Sequence, residues 1–269
     1  MTVKAELSQK TFPREAFPHI QAAWRWKVLA ACHIAALLLL LSWLPFSPLR
    51  GAWDALDNTA FFLMNGSVSE AGWWQSAAGF ANTKLFDKIS TIVLVLMLLA
   101  FIFFGRQGNL AWRGSGVVFL GLYMLVFVFF RRKLGIGEYG RTSPSMDLTP
   151  FYNLDDLLPA WNVKVAAPSC FPSDHANASL LFVVLFWALA GKRWGIAALL
   201  LSPVFIFPRM FSGAHWLTDT LIGGVVFTLL VGSWALATPL FYRATSLLYI
   251  PAAWKLQILL KIKTRIFRK

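Results

Sequence analysis

Of the 269 residues, 58% are hydrophobic and 14% are charged, and the mean hydropathy is +0.61. Soluble domains carry about 25% charged residues, so this composition excludes an ordinary globular enzyme and predicts a chain folded in a bilayer. The formal charge of +13 does not argue for nucleic acid, because most of the excess flanks apolar runs, where Lys and Arg set orientation and meet anionic lipid.

Residues 1–27 are polar and basic, interrupted by Pro13 and Pro18, and read as a cytoplasmic N-terminal arm. The first apolar run starts after this arm and is longer than the h-region of a signal peptide, so it is read as a retained span. Charged residues then delimit six runs: Lys27–Arg50, Lys88–Arg106, Arg113–Arg131, Asp174–Lys192, Arg193–Arg209 and Asp219–Arg243. A membrane helix needs roughly 17–25 apolar residues. The chain is therefore expected to be an all-α integral membrane protein, a six-transmembrane-helix bundle with periplasmic interfacial helices and loops. Residues 28–242 form its membrane domain. The short fifth run sets Arg209 at or below the headgroup level, and the fourth raises the same expectation for His175.

Between the first two runs, Asp54–Asn65 mixes polar and bulky apolar residues and is expected as a helix in the interface. Trp73 and Trp74 suit the aromatic belt beside it. The other long outer segment, residues 131–174, is rich in Gly, Pro and charge. The tail 243–269 interleaves apolar residues with bases and is expected to lie along the cytoplasmic surface. With six spans, 16 of the 25 Lys and Arg residues fall on the side of the termini, against only Glu6 and Glu15. The positive-inside rule then puts both termini in the cytoplasm and the long outer segments in the periplasm. Cys32 in the first run and Cys170 in an outer loop are too far apart in this topology to pair.

Three polar clusters converge on the outer side: Lys133 with Arg141, Ser173-Asp174-His175, and Arg209 with His215 and Asp219. Adjacent residues cannot arrange themselves as a Ser-His-Asp triad, so His175 must find its partners elsewhere. His215 and Asp219 are four apart, so on a helix they would share a face, and the carboxylate would fix the tautomer of the imidazole. Gly213 permits a tight turn into that helix. The fork of Arg209 suits two oxygens of a phosphate. A metal pair at His-x-x-x-Asp is the competing reading, but the surrounding cations would repel a metal and welcome a polyanion. A lone interfacial histidine is the bland reading of either imidazole. The central parts of the spans carry no acid or base, which weighs against an ion pathway or transporter. His33, the one deep histidine, is read as packed or hydrogen-bonded.

Pro172–His175, in the form PSDH, and the pattern R-x5-H-x3-D at Arg209–Asp219 resemble the second and third signatures of the type-2 phosphatidic acid phosphatase superfamily. Asp174 stands where that family usually has Gly, a form similar to bacterial undecaprenyl pyrophosphate phosphatases. The first signature, K-x6-R-P, is altered: seven residues separate Lys133 from Arg141, and Thr142 replaces the proline. Leu56–Phe62, Ala81–Asp87 and Arg141–Pro144 resemble a branch that moves phosphate from undecaprenyl pyrophosphate to lipid A 1-phosphate. The resemblance implies that His215 is the nucleophile, oriented by Asp219, and that His175 is the general acid and base. Arg141, Arg209, Lys133, Ser173 and Asp174 would form the phosphate site. It implies no metal and no cofactor, and as partners undecaprenyl pyrophosphate, other membrane lipid phosphates and the bilayer. Water as the acceptor, giving a lipid phosphate phosphatase, is the alternative outcome of the same chemistry.

Overall fold

The computed structural model describes residue 15, residues 17–130, 133–135, 139–167 and 169–249. Most of the expected N-terminal arm and the tail from 250 onward lie outside the described residues. Among those described the chain is helical, with no strand and one isolated bridge between Tyr139 and Phe171. Helices α1 (Trp26–Trp43), α2 (Arg50–Gly66), α3 (Trp73–Phe80) and α4 (Lys84–Phe104) come first. Helix α5 (Leu110–Met124) runs on into the wider turns of Leu125–Phe130. Short helices α6 (Pro144–Asp147) and α7 (Leu154–Leu157) lie in the outer segment, before α8 (Asp174–Ala190), α9 (Lys192–Ile206) and α10 (Pro208–Phe211). The last apolar helix, α11, is built from Asp219–Gly224, Val225–Phe227, Thr228–Gly232 and Ser233–Leu236. Residues 240–249 are helical again.

Five described helices are long and apolar enough to cross a membrane: Trp26–Trp43, Lys84–Phe104, Leu110–Phe129, Lys192–Phe211 and Asp219–Leu236. The run expected as the fourth span is the shorter α8, at 17 residues. Such a helix rises about 25 Å, at the lower limit of a hydrocarbon core. It is the central helix of the bundle. Leu181, Phe182, Leu185, Phe186 and Leu189 are buried, and with Phe101, Trp112, Phe119 and Phe241 they form the largest apolar cluster. By contrast α4 shows most of its wall outward, with Leu85, Ile92, Val95, Leu96 and Phe103 exposed. A helix apolar all round must be buried in protein or in lipid, and the two helices take the two options.

One corner of the bundle is tied by a buried cation. Arg113 donates to the carbonyls of Ile102 (2.8 Å), Gln107 (3.2 Å) and Gly108 (2.9 Å), closing the α4–α5 turn. His33 is satisfied as expected: one ring nitrogen lies 2.9 Å from Leu29 O and the other accepts from Trp234 Nε1 at 3.2 Å. Both cysteines are free.

The expected interfacial helix at Asp54–Asn65 is α2, and its role is larger than a float on the membrane surface. Asp57, Phe61 and Asn65, spaced by four, form a buried stripe. Asn65 donates to Tyr152 O and Phe211 O and accepts from Tyr152 N, so it clamps the outer segment to α10.

Close approach of α11 to the start of α8 depends on two glycines. A Cβ on Gly223 would lie 2.5 Å from Pro172 Cβ and 2.9 Å from Pro172 Cα, and one on Gly224 would lie 2.8 Å from Ala176 Cβ. Gly223→Val is expected to force these segments apart and to cost about 1–3 kcal/mol. A fall in the thermal midpoint of the detergent-solubilised protein checks this.

Candidate active site

Two turns carry the site, and each is fixed by backbone hydrogen bonding. Ser173 is the N-cap of α8: it is buried, and its Oγ accepts from Ala176 N at 3.5 Å. Asp174 and His175 occupy the first turn, where a negative side chain complements the exposed N–H groups. The second turn follows α10. Arg209 O accepts from both Ala214 N (2.9 Å) and His215 N (3.1 Å), and Gly213 makes the reversal at φ +74°. A side chain at Gly213 would be strained in backbone and would crowd Phe151 and Ser145 at 3.0 and 3.1 Å. The two turns are joined where Ser173 N donates to Asp219 O at 3.2 Å.

His215 and Asp219 do pair, but not as neighbours on a helix face. His215 lies in the bend before the helix. Its Nδ1 is 3.3 Å from Asp219 Oδ2, the oxygen that also accepts Trp216 N at 2.8 Å. Asp219 therefore caps the turn and orients the imidazole with one atom, and among the described residues Nε2 of the buried His215 makes no hydrogen bond. The other carboxylate oxygen accepts from Arg141 Nη1 at 3.3 Å.

Arg141 is held on every side. Its Nη2 donates to Asp57 Oδ2 at 2.7 Å and its Nη1 to Thr218 Oγ1 at 2.9 Å. Its guanidinium lies 4.3 Å from the Trp216 ring centroid and 5.6 Å from that of Trp43. Asp57 also accepts from Thr218 N (2.8 Å) and Thr218 Oγ1 (2.7 Å). Burial pushes its carboxyl above the ordinary value, while Arg141 and Thr218 oppose that shift. Asp57 is one of the residues that sequence reasoning passed over. Its signal was an acid on the apolar stripe of an amphipathic helix, where a charge needs a partner.

The third group is Arg209, buried at 2% exposure. Its Nη1 donates to Asn82 O (3.2 Å) and Asn82 Oδ1 (3.3 Å), and its Nη2 donates to Asp87 Oδ1 (2.6 Å) and Oδ2 (2.8 Å). The same Nη2 lies 3.3 Å from His175 Nε2, which is 3.2 Å from Asp87 Oδ1. His175 and His215 are near enough for a charge on either to oppose one on the other. Asn82 and Asp87, at the α3–α4 corner, were also absent from the expected site. Lys133 is exposed and makes no hydrogen bond or ion pair with the described residues, while residues 131, 132 and 136–138 around it lie outside them.

A cavity of about 300 Å³ opens at His175. Asp87, Ser90, Thr91 and Asp174 line its polar end, and Leu94, Val128, Phe129 and Phe205 its apolar walls.

A family model described as the PAP2 superfamily matches residues 117–244. Lipid A 1-diphosphate synthase of Escherichia coli (strain K12) is 31% identical over 214 residues, covering 78% of this chain and 87% of that protein. The chain belongs to the PAP2 superfamily. No solved structure matches it. As a member of the PAP2 superfamily with several apolar helices, it is a multi-pass membrane protein and a lipid phosphatase or phosphotransferase.

Cys170 Sγ, a nitrogen of His215 and a carboxylate oxygen of Asp219 lie within 4.8 Å of one another. As a metal centre this set is poor. Burial pushes the Cys170 thiol up to about 11, so it stays protonated, and it is bonded to Ser143 Oγ and Ala214 O. Asp219 is already shared among Arg141, Trp216 and His215.

Removing the carboxylate of Asp57 leaves the Arg141 guanidinium buried and short of a counter-charge. Asp57→Ala is expected to cost about 3–5 kcal/mol of stability. Asp57→Asn, which keeps the shape, should cost less, and thermal unfolding of the two variants side by side checks the order.

Proposed function

We propose that the protein is a phosphotransferase. It moves the terminal phosphate of undecaprenyl pyrophosphate to lipid A 1-phosphate through a phosphohistidine, and releases undecaprenyl phosphate. The observation that carries this reading is the cavity at His175. His175 lines its polar end with Asp87 and Asp174, the buried Arg209 guanidinium lies directly behind that imidazole, and the cavity walls are apolar. A lipid pyrophosphate has that polarity: its chain would lie along the apolar walls, and its head, ending in the reacting terminal phosphorus, at the polar end.

His215 Nε2 attacks the terminal phosphorus while the bond to the bridging oxygen breaks, and Asp219 stabilises the imidazolium that develops. His175 gives its proton to the departing lipid phosphate oxygen. In the second half an acceptor oxygen attacks the phosphohistidine, the P–N bond breaks, and His175 takes up the proton that the acceptor carries. Arg209 and Arg141 hold the phosphoryl oxygens and offset the charge that grows on them. Ser173 adds its hydroxyl at the helix N-terminus. Asp174 does not bind phosphate in this scheme, since its carboxylate would repel it. Lys133 contributes to the long-range field at the entrance. The guanidinium groups and imidazoles supply the electrostatic stabilisation that a metal supplies elsewhere, and no metal or cofactor is invoked.

The reading places α8 as a sixth span, both termini in the cytoplasm and the site at the periplasmic face of a bacterial inner membrane. The distribution of Lys and Arg supports that orientation. The relative's name supports the choice of acceptor.

His215→Ala is expected to abolish turnover and to prevent acid-labile labelling by phosphate-labelled donor, without loss of the folded protein. Substantial residual turnover would refute the phosphohistidine. Arg209→Ala and Arg141→Ala should each lower kcat by about 10²–10³. The acceptor is tested with purified enzyme and undecaprenyl pyrophosphate, with and without lipid A. Phosphate appearing on lipid A, with slow release to water in its absence, is the expected result. Release to water as fast without lipid A would make the protein a phosphatase.

A further inference from the structure

The atoms that should meet substrate already meet an anion. Asp87, in the first turn of α4, places its carboxylate 2.6 and 2.8 Å from Arg209 Nη2 and 3.2 Å from His175 Nε2. We propose that Asp87 occupies the phosphate seat of the ligand-free enzyme, that a phosphoryl group displaces it, and that this competition leaves weakly held phosphodiester lipids unbound while a phosphate monoester or pyrophosphate still binds. The assignment rests on the function proposed above and adds a residue to it.

The first support is the identity of the atoms. His175 must reach the leaving oxygen, and its Nε2 ends on Asp87. The Arg209 nitrogen that faces His175 ends on the same carboxylate. Two donors converging on one anion is the arrangement a phosphoryl oxygen requires.

The second is that Arg209 does not depend on Asp87 for its position. Its Nη1 is anchored on Asn82, whose Nδ2 donates to Ala78 O (2.9 Å) and Pro208 O (2.7 Å) and whose Oδ1 accepts from Ser212 Oγ (3.1 Å). When the carboxylate leaves, the guanidinium stays aimed.

The third is exposure. The Asp87 side chain is 40% exposed, whereas Asp57, which serves Arg141, is 0% exposed. Water can receive the Asp87 carboxylate but not that of Asp57, so only the first can move at low cost. One turn further along α4, Ser90 lines the same cavity, and its Oγ has no hydrogen-bond partner among the described residues.

Selectivity follows from charge. A phosphodiester headgroup carries one negative charge, as Asp87 does, and gains little by replacing it. A terminal phosphate carries up to two charges and three free oxygens, and it gains on both counts. The resident carboxylate lowers the apparent affinity for every anion by the same factor. That uniform penalty is enough to leave the weaker phosphodiester unbound, while the more strongly held terminal phosphate still fills the seat.

Calorimetric titration of orthovanadate and inorganic phosphate into the full-length, detergent-solubilised protein tests this without turnover. Asp87→Asn and Asp87→Ala are expected to bind both anions at least tenfold more tightly than wild type. In both variants phosphatidylglycerol, a phosphodiester, should become a competitor of vanadate. Binding that is unchanged or weaker in the folded variants overturns the assignment and leaves Asp87 as a fixed positioning group. Should the variants fail to fold, a structure of the wild type with vanadate decides: the Asp87 carboxylate moved off Arg209 and His175 supports displacement, and one still bridging them overturns it. If no protein binds phosphate or vanadate, wild type included, the proposed function falls and this assignment with it.

Discussion

Two guanidinium groups lie buried at one end of an apolar bundle, and most of the outer architecture exists to give them acceptors. A charge at that depth is costly unless it is paired and its remaining donors are satisfied. Arg141 receives Asp57 from α2, Asp219 from the start of α11 and Thr218 beside it. Arg209 receives Asn82 and Asp87 from the α3–α4 corner. The segments between the spans therefore cannot be loose connections. They are the solvation shell of the site, and they hold its cations at positions where water alone would let them swing.

The same constraint decides what was legible in the residues themselves. The apolar runs announced their helices, because uncharged stretches between Lys, Arg and Asp map directly onto the cost of charge in lipid. The signatures around His175 and His215 announced the family, since unlike residues at fixed spacing leave few other readings. Asp57, Asn82 and Asp87 escaped because their partners are 84, 127 and 122 residues away in the chain. No local pattern encodes such a distance. The His215–Asp219 pair was legible as a pair and misread as a helix face. The helix starts later, and Asp219 reaches back to cap the turn at Trp216 N.

Membrane depth explains why an imidazole ends up at the head of a helix and not in its middle. The start of α8 offers unsatisfied N–H groups and a cap from Ser173, so polar side chains are cheap there and expensive one turn deeper. The cavity beside His175 follows the same gradient, with Asp87, Asp174 and His175 at its polar end and Leu94, Val128 and Phe205 along its walls. Gly223 and Gly224 let α11 approach close to this end of α8, which brings the two imidazole-bearing turns into one electrostatic neighbourhood. The wide turns at Asp219–Gly224 fall at the same place. Departures from regular α geometry of this kind gather at sites where side chains must be re-aimed.

The two carboxylates on the two arginines show how one type of interaction serves opposite ends. Asp57 is fully enclosed and is met by three donors from Arg141 and Thr218, so breaking it exposes several unpaired groups at once. Asp87 meets donors just as close, yet its side chain is 40% exposed and its partner is independently anchored. Pair distance alone would rank them as equals. Solvent access and redundancy of support separate them, because the free energy of leaving is set by what the departing group can bond next and by what the abandoned group still holds. By that criterion the pair of Asp57 with Arg141 is a fixed part of the site, and the pair of Asp87 with Arg209 is the one that can open.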